Sequence, residues 1–122
     1  NMNTPKTIFC DLDGTLVKHS GDVSLLTSPD YELELLPGVK DFLKHIDSNR
    51  YCLVIATGRK ESLREPTIKQ LQKVGIFYDK LIMGFGGGDR ILINDRKPNS
   101  DRDTAYAINL ERDKGVINEN YI

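Results

Sequence analysis

The sequence has few cysteines, no long apolar run and almost no excess of charge, and each of these absences makes a class of protein less plausible. Cys10 and Cys52 are the two cysteines among 122 residues. Each lies in an apolar run, which is the pattern of buried free thiols rather than of a disulfide framework. No stretch approaches the roughly 20 apolar residues of a membrane helix. Residues 1–6 lack the basic and then apolar pattern of a signal peptide and read as a polar lead-in. We therefore expect a cytoplasmic protein with no membrane partner.

The charge balance bears on the partners. The formal net charge is -1 and the pI about 6.1, which gives no reason to expect a nucleic acid, since that partner normally requires a basic face. A local basic patch would reverse this argument, so nucleic acid is disfavoured without being excluded. The length and the ordinary balance of 39% hydrophobic and 29% charged residues predict a single domain over residues 1–122, with a core at about 7–110.

Short apolar runs alternate with longer amphipathic ones, which is typical of an α/β fold. One helix is predicted from Pro37-Gly38 to Ser48-Asn49, because its apolar residues recur at i, i+3, i+4 and i+7. A second helix is predicted from near Glu61 to Val74. The predicted strands are residues 7–10, 52–56, 81–83, 91–93 and, more weakly, 105–110. Only seven residues separate the third and fourth predicted strands, whereas parallel strands usually need a longer crossover.

Two carboxylates follow the first predicted strand. Asp11 and Asp13 lie two residues apart, which directs them to the same side, and Gly14 allows a tight turn after them. In an open parallel sheet, ligands bind at this edge. Adjacent carboxylates repel unless a cation lies between them or one carries a proton. Mg2+ suits the place because it needs only one or two carboxylates, with waters and phosphate oxygens as further ligands.

The string IFCDLDGTLV at residues 8–17 resembles the first motif of the haloacid dehalogenase superfamily. Residues 53–59 (LVIATGR) resemble the second motif, and residues 91–95 (ILIND) resemble the fourth. Residues 36–39 (LPGV) are similar to the usual entry into the helix between the first two motifs. The resemblance spans roughly residues 7–110. It implies an α/β, Rossmann-like three-layer sandwich with a central parallel sheet.

The resemblance also implies roles for individual residues. Asp11 would be the nucleophile that forms an aspartyl-phosphate. Asp13 would protonate the leaving oxygen and later deprotonate the attacking water, and its presence favours phosphoryl transfer over dehalogenation. Thr57 would donate a hydrogen bond to a phosphate oxygen. Mg2+ would be held by Asp11, the backbone carbonyl of Asp13, and Asp95.

The sequence departs from the family at the third motif, where a lysine on a helix is expected and that helix is missing. Lys97 is the candidate replacement, with an exposed turn lysine as the alternative, and Lys80 is less favoured because it should lie at the opposite edge. Thr57, Gly58 and Arg59 are the predicted substrate-binding residues. For Arg59, a surface position at the start of a helix is an equally good interpretation.

Family members usually carry a cap domain, and here only a β-hairpin flap fits within residues 15–36. An open site implies either a bulky substrate or a neighbouring subunit that closes it, so a homo-oligomer is possible. The expected activity is Mg2+-dependent hydrolysis of a phosphomonoester, with a sugar phosphate or similar small metabolite as the substrate. The alternatives are a phosphatase of nucleotide or nucleic-acid ends, and a catalytically weak regulatory or binding domain.

Overall fold

The computed structural model describes residues 4–117 and 122. Within these residues, the three strands are β1 (Thr7–Cys10), β2 (Cys52–Thr57) and β3 (Lys80–Met83), and they form one parallel sheet in the order β1-β2-β3. The predicted α/β class with a parallel sheet is therefore confirmed. Part of the polar lead-in predicted at residues 1–6 lies outside the described residues. The described part of the chain has two α-helices, α1 (Val39–Ser48) and α2 (Arg64–Val74), and two short 3-10 helices, Val23–Thr27 and Glu61–Leu63.

The core lies on one face of this sheet. The register pairs Cys10 with Ile55 and Ile55 with Leu81, and this row is buried. It belongs to the same apolar cluster as Leu71 of α2 and the buried residues of α1. The α1 residues are those predicted from the helical spacing: Val39, Phe42, Leu43 and Ile46. Side chains alternate between the two faces of a strand, and the opposite face leaves Phe9 57% and Ile82 43% exposed.

Glycine and proline lie at the ends of the two helices. Gly38 is the N-terminal cap of α1, and Gly75 ends α2 in the left-handed conformation that glycine adopts easily. Pro66 is the third residue of α2. The first turn of a helix tolerates proline because its N–H groups have no partner within the helix.

The fourth and fifth predicted strands are not formed. No helix or strand is assigned between residues 84 and 110, all of which the structure describes. Ile91 is 85% and Ile93 is 90% exposed. A strand needs a paired neighbour and a face to bury, and residues 91–93 have neither, so this prediction was wrong. Because no fourth strand forms, residues 84–90 do not have to connect two parallel strands.

The chain returns to the core after residue 110. The backbone N–H of Asp113 donates to the carbonyl of Gly14 at 2.9 Å, and that of Val116 donates to the carbonyl of Pro37 at 2.9 Å. Val116 is buried in the apolar cluster. The packing here is close: a Cβ added to Gly38 would lie 1.9 Å from the carbonyl oxygen of Val116. None of the described helices is long and apolar enough to cross a membrane.

Candidate active site

A tight turn after β1 presents the two carboxylates. The carbonyl of Leu12 accepts hydrogen bonds from the backbone N–H groups of Leu16 at 2.9 Å and Val17 at 3.2 Å. The side chains of these three residues are completely buried. Gly14, with a φ of 88°, allows the chain to reverse within this turn. The apolar side chains thus anchor the turn, while Asp11 is exposed and Asp13 half-buried at the carboxyl end of the strand.

Although the surface of Asp11 is exposed, the protein atoms around its carboxylate remove part of its hydration. This desolvation raises the pKa of Asp11, because it disfavours the charged form, and the nearby charge of Asp13 raises it further. A hydrogen bond from the backbone of Leu12, the charge of Arg90 and a hydrogen bond from Thr15 act in the opposite direction. The Thr15 hydroxyl donates to Oδ2 of Asp11 at 3.4 Å. The two carboxylates are therefore near neighbours, as the sequence predicted.

Arg59 forms an ion pair with the side chain of Asp13. Its Nε donates to Oδ2 of Asp13 at 2.8 Å and its Nη2 donates to Oδ1 at 2.9 Å. The Nη1 group donates to the hydroxyl of Thr67 at 3.0 Å and to Oε1 of Gln70 at 2.7 Å. The Arg59 side chain is only 2% exposed. The guanidinium group thus makes a two-pronged ion pair with one carboxylate, the geometry in which arginine binds most specifically.

These contacts correct both interpretations of Arg59 drawn from the sequence. It is not a surface arginine, because its side chain is buried. It does not face an open substrate site either, because its hydrogen bonds are made to Asp13, Thr67 and Gln70. Arg59 instead donates hydrogen bonds to both carboxylate oxygens of Asp13.

Thr57 and Gly58 lie beside this pair at the end of β2. Thr57 is 1% exposed, and its hydroxyl oxygen accepts a hydrogen bond from the backbone N–H of Arg59 at 3.2 Å. Gly58 is covered by the following loop, since a Cβ added to it would lie 2.6 Å from the carbonyl oxygen of Gly86. Glycine is required here because the two backbones approach so closely. The substrate-binding roles of Thr57 and Gly58 remain predictions.

The segment of residues 84–90 brings a cation to the site that the sequence analysis missed. The Gly84 backbone N–H donates to the carbonyl of Arg59 at 2.8 Å, which holds the segment on the edge of the sheet. The guanidinium carbon of Arg90 lies 4.5 Å from the centre of the Phe85 ring, and Arg90 also donates to the carbonyl of Gly88. Its charge lowers the pKa of Asp11. Nothing in the local sequence around Arg90 indicated this placement.

The two lysines considered earlier lie elsewhere. Lys80 is the first residue of β3 and is exposed, at the opposite edge of the sheet from Asp11, as predicted. Lys97 is exposed in the segment without helix or strand, and it is not among the groups that shift the pKa of Asp11. Among the described residues, Arg90 is the cation whose charge lowers the pKa of Asp11.

Asp95 is not brought to the two carboxylates. Across residues 4–117 and 122, no three acidic, histidine or cysteine side chains are grouped so as to hold a metal ion. The backbone carbonyl of Asp95 accepts a hydrogen bond from Thr104, whose hydroxyl also accepts one from Asn94 at 2.8 Å. The donor set at β1 still fits Mg2+, because this ion is commonly held by one or two carboxylates together with substrate phosphates. A cation there would also offset the repulsion between Asp11 and Asp13.

The flap predicted at residues 15–36 has a paired base. Val17 bridges Leu35 in antiparallel fashion, and the backbone N–H of Lys18 donates to the carbonyl of Glu34 at 2.9 Å. The middle of the flap is the 3-10 helix Val23–Thr27, whose cap is Asp22. The described flap is therefore a hairpin-like segment that lies beside the site.

Comparison with known proteins identifies the family. The model of haloacid dehalogenase-like hydrolases matches residues 8–88, about two thirds of the chain. The chain belongs to this family. The family match ends within the glycine-rich segment before Arg90, and it includes Asp11, Asp13, Thr57 and Arg59. No curated protein matches the chain.

Solved structures of this hydrolase fold give a similar result. A chain in a "Pnkp1/Rnl/Hen1 RNA repair complex" is 31% identical, with a TM-score of 0.54 over 82% of this chain and 28% of that chain. A second structure of a Pnkp1/Rnl/Hen1 complex is 34% identical, with a TM-score of 0.56 over 71% of this chain and 30% of that chain. A Vibrio cholerae protein is 21% identical, with a TM-score of 0.52 over 73% of this chain and 79% of that chain, which supports the fold alone. The chain thus spans about three tenths of the first two relatives.

Proposed function

We propose that this hydrolase is a Mg2+-dependent phosphomonoesterase in which Asp11 is the nucleophile and Asp13 the general acid and base. The observation that carries the proposal is the two-pronged ion pair between Asp13 and the buried Arg59, beside an Asp11 with a raised pKa. Paired carboxylates in unlike environments are the usual arrangement for a nucleophile beside a proton donor. A solvated turn would not require a buried arginine to fix one of its side chains.

In the proposed reaction, a carboxylate oxygen of Asp11 attacks the phosphorus atom, and the bond from phosphorus to the leaving oxygen breaks. Asp13 transfers a proton to that oxygen, which departs as an alcohol. Asp13 then accepts a proton from a water molecule that attacks the aspartyl-phosphate and regenerates Asp11. Because both oxygens of Asp13 accept hydrogen bonds from Arg59, its carboxyl group would keep one orientation through both steps.

The Asp11 carboxylate and the Asp13 backbone carbonyl are the groups that would hold Mg2+, whereas Asp95, the further ligand expected from the resemblance, is not grouped with them in the described residues. Bound there, Mg2+ would neutralise charge on the transferring phosphoryl group. Arg90 is the side chain that we propose takes the role expected of the missing lysine. Its stacking on Phe85 and its charge effect on Asp11 support that assignment, whereas no comparable contact supports Lys97.

Two substrate classes fit an uncapped site, namely a small sugar phosphate and a phosphorylated nucleic-acid end. The net charge of -1 favours the first. The identities of 31% and 34% to chains of an RNA repair complex favour the second. We give these likenesses more weight, because one local basic patch around Arg90 would be enough to bind a strand end. We therefore propose phosphorylated RNA ends as the favoured substrate and a small sugar phosphate as the alternative.

The test is hydrolysis of p-nitrophenyl phosphate, a panel of sugar phosphates, and an RNA oligonucleotide phosphorylated at its 3' or 5' end, with and without Mg2+. Asp11→Asn should abolish turnover. Asp47→Asn is the matched control, because Asp47 is an exposed carboxylate on α1, and it should leave turnover unchanged. Folded wild-type protein that hydrolyses none of these with Mg2+ would refute the phosphatase and favour a binding domain. The ratio of RNA to sugar-phosphate turnover decides between the two substrate classes.

A further inference from the structure

Gln70 connects the flap to the carboxylate that we propose as the general acid. It lies on α2 and its side chain is completely buried. On one side, its Oε1 accepts the hydrogen bond from Nη1 of Arg59 at 2.7 Å. On the other side, its Nε2 donates to the carbonyl of Leu26 at 3.1 Å and to the carbonyl of Ser28 at 2.8 Å. One amide therefore joins the backbone of the flap to the arginine that holds Asp13.

The amide of Gln70 has only one satisfactory orientation. If its oxygen and nitrogen were exchanged, its N–H groups would face the donors of Arg59 and its oxygen would face two carbonyls. Each of these buried groups would then lack a partner, which is strongly unfavourable away from water. Thr67, which is also completely buried, accepts a further hydrogen bond from Arg59 at 3.0 Å. The position of the Arg59 guanidinium is therefore fixed by α2, and α2 is fixed to the flap.

A second contact ties the flap to the same helix. The ammonium group of Lys73 donates to the carbonyl of Asp30 at 3.1 Å and lies 3.7 Å from Oε1 of Glu32. Lys73 is exposed, so this contact is weaker than the buried one. Both contacts lie on the face of α2 that meets the flap, and only the contact through Gln70 continues to the active site.

We propose that Gln70 is a positioning residue that couples the flap to Asp13 through Arg59, so that the placement of the flap sets how well Asp13 protonates the leaving group. This inference rests on the proposed function. The coupling path is a continuous series of hydrogen bonds between the carbonyls of residues 26 and 28, Gln70, Arg59 and Asp13. A substrate that presses on the flap would shift Asp13 through this path.

The first measurement uses two substrates that differ in their need for a proton. The p-nitrophenolate group leaves readily without protonation, whereas the alkoxide of glycerol 2-phosphate leaves only with it. Gln70→Met, which keeps the length and removes the hydrogen bonds, should lower kcat for glycerol 2-phosphate at least ten-fold more than kcat for p-nitrophenyl phosphate. Gln72→Met is the matched control, because Gln72 is exposed on the same helix, and the ratio should stay at its wild-type value. A role in folding alone would lower both rates equally, and that result would overturn the proposal.

Gln70→Glu separates the two halves of the path. It keeps an acceptor for Arg59 and removes the donor to the two flap carbonyls. The kcat ratio should shift in the same direction as in Gln70→Met, and an unshifted ratio would overturn the part played by the flap.

A thermal measurement tests the structural path between Gln70 and Asp13 without an activity assay, and so separates this proposal from the proposed function. Asp13→Asn should lower Tm by no more than half as much in the Gln70→Met background as in the wild-type background, because the path between the two residues is already broken. Equal losses in the two backgrounds would overturn the coupling. If the wild-type protein hydrolyses neither substrate, the proposed function fails while this cycle still tests the structural path.

Discussion

Replacing Arg59 tests how far the site depends on one buried side chain. Arg59→Met would leave the Asp13 carboxylate without its cation, and would leave Thr67 and Gln70 with buried oxygens that have no donor. Removing one partner of a buried ion pair costs about 3–5 kcal/mol. The Asp13 side chain is 18% exposed, so water can replace part of what is lost and we expect the lower end, about 3 kcal/mol. Domains are typically stable by only about 5–15 kcal/mol, so this loss would be a large and measurable fraction of the free energy of unfolding.

Urea unfolding followed by circular dichroism measures this loss as a lower midpoint at constant m-value. Arg96→Met is the matched control, because Arg96 pairs with Asp103 at 2.9 Å but is 63% exposed. It should change the free energy of unfolding by no more than about 0.5 kcal/mol. Arg59→Lys keeps the charge and loses the two-pronged geometry. Its loss in the free energy of unfolding should lie between those of Arg59→Met and Arg96→Met. A loss below about 1 kcal/mol for Arg59→Met, or one equal to that of the control, would refute the argument.

Three further predictions concern other parts of the chain. Arg90→Met should lower kcat/KM for phosphomonoesters at least ten-fold, whereas Lys97→Met should leave it unchanged; the opposite result would restore the lysine as the charge partner. Burial, and then the charge of the adjacent Asp11, raises the pKa of Cys10 to about 12, from 9.0 in an exposed chain. The folded and unfolded thiols are therefore both protonated below pH 9, and above it stability should fall by about 1.4 kcal/mol per pH unit until pH 12. The free energy of unfolding is measured for wild type and Cys10→Ala at pH 8 and pH 10, and wild type should lose more stability between the two pH values than the variant. An equal loss in both proteins would contradict the prediction. Gly38→Ala should destabilise by more than about 1 kcal/mol, because its φ is 77° and a carbonyl oxygen blocks the Cβ. Gly21→Ala, with open space around it, is the control in chemical unfolding, and equal midpoints would contradict the prediction.

The parts of the fold that the sequence predicted are those set by local patterns. The helical spacing of Val39 and Ile46 defined α1, and the apolar run in β2 identified a buried parallel strand. Gly14, directly after the two carboxylates, indicated the tight turn that follows β1. These signals work because each residue's environment follows from its near neighbours.

The parts that the sequence did not predict depend on distant partners. Residues 91–93 have the composition of a strand, but an apolar triplet does not say which neighbour would pair with it. Arg59 could not be assigned either, because its main partner Asp13 lies 46 positions away in the chain. One signal was available in advance: Thr67 and Gln70 are polar residues one turn apart, next to Leu71 on α2, where an apolar face was expected. Polar residues at buried helix positions indicate a hydrogen-bonding partner.

The return of the chain to the core after residue 110 affects how the protein can be engineered. Residues 84–110 form 27 consecutive positions without helix or strand, closed at the far end by Asp113 and Val116. In polymer terms this is a long closed loop, and the entropy of closing such a loop changes by only about 0.6 kcal/mol when its length is halved. Its middle, from residue 91 onward, could therefore be replaced by a short flexible linker with little change in stability. Such a shortened chain would remove Asp95 while retaining Asp11, Asp13 and Arg90.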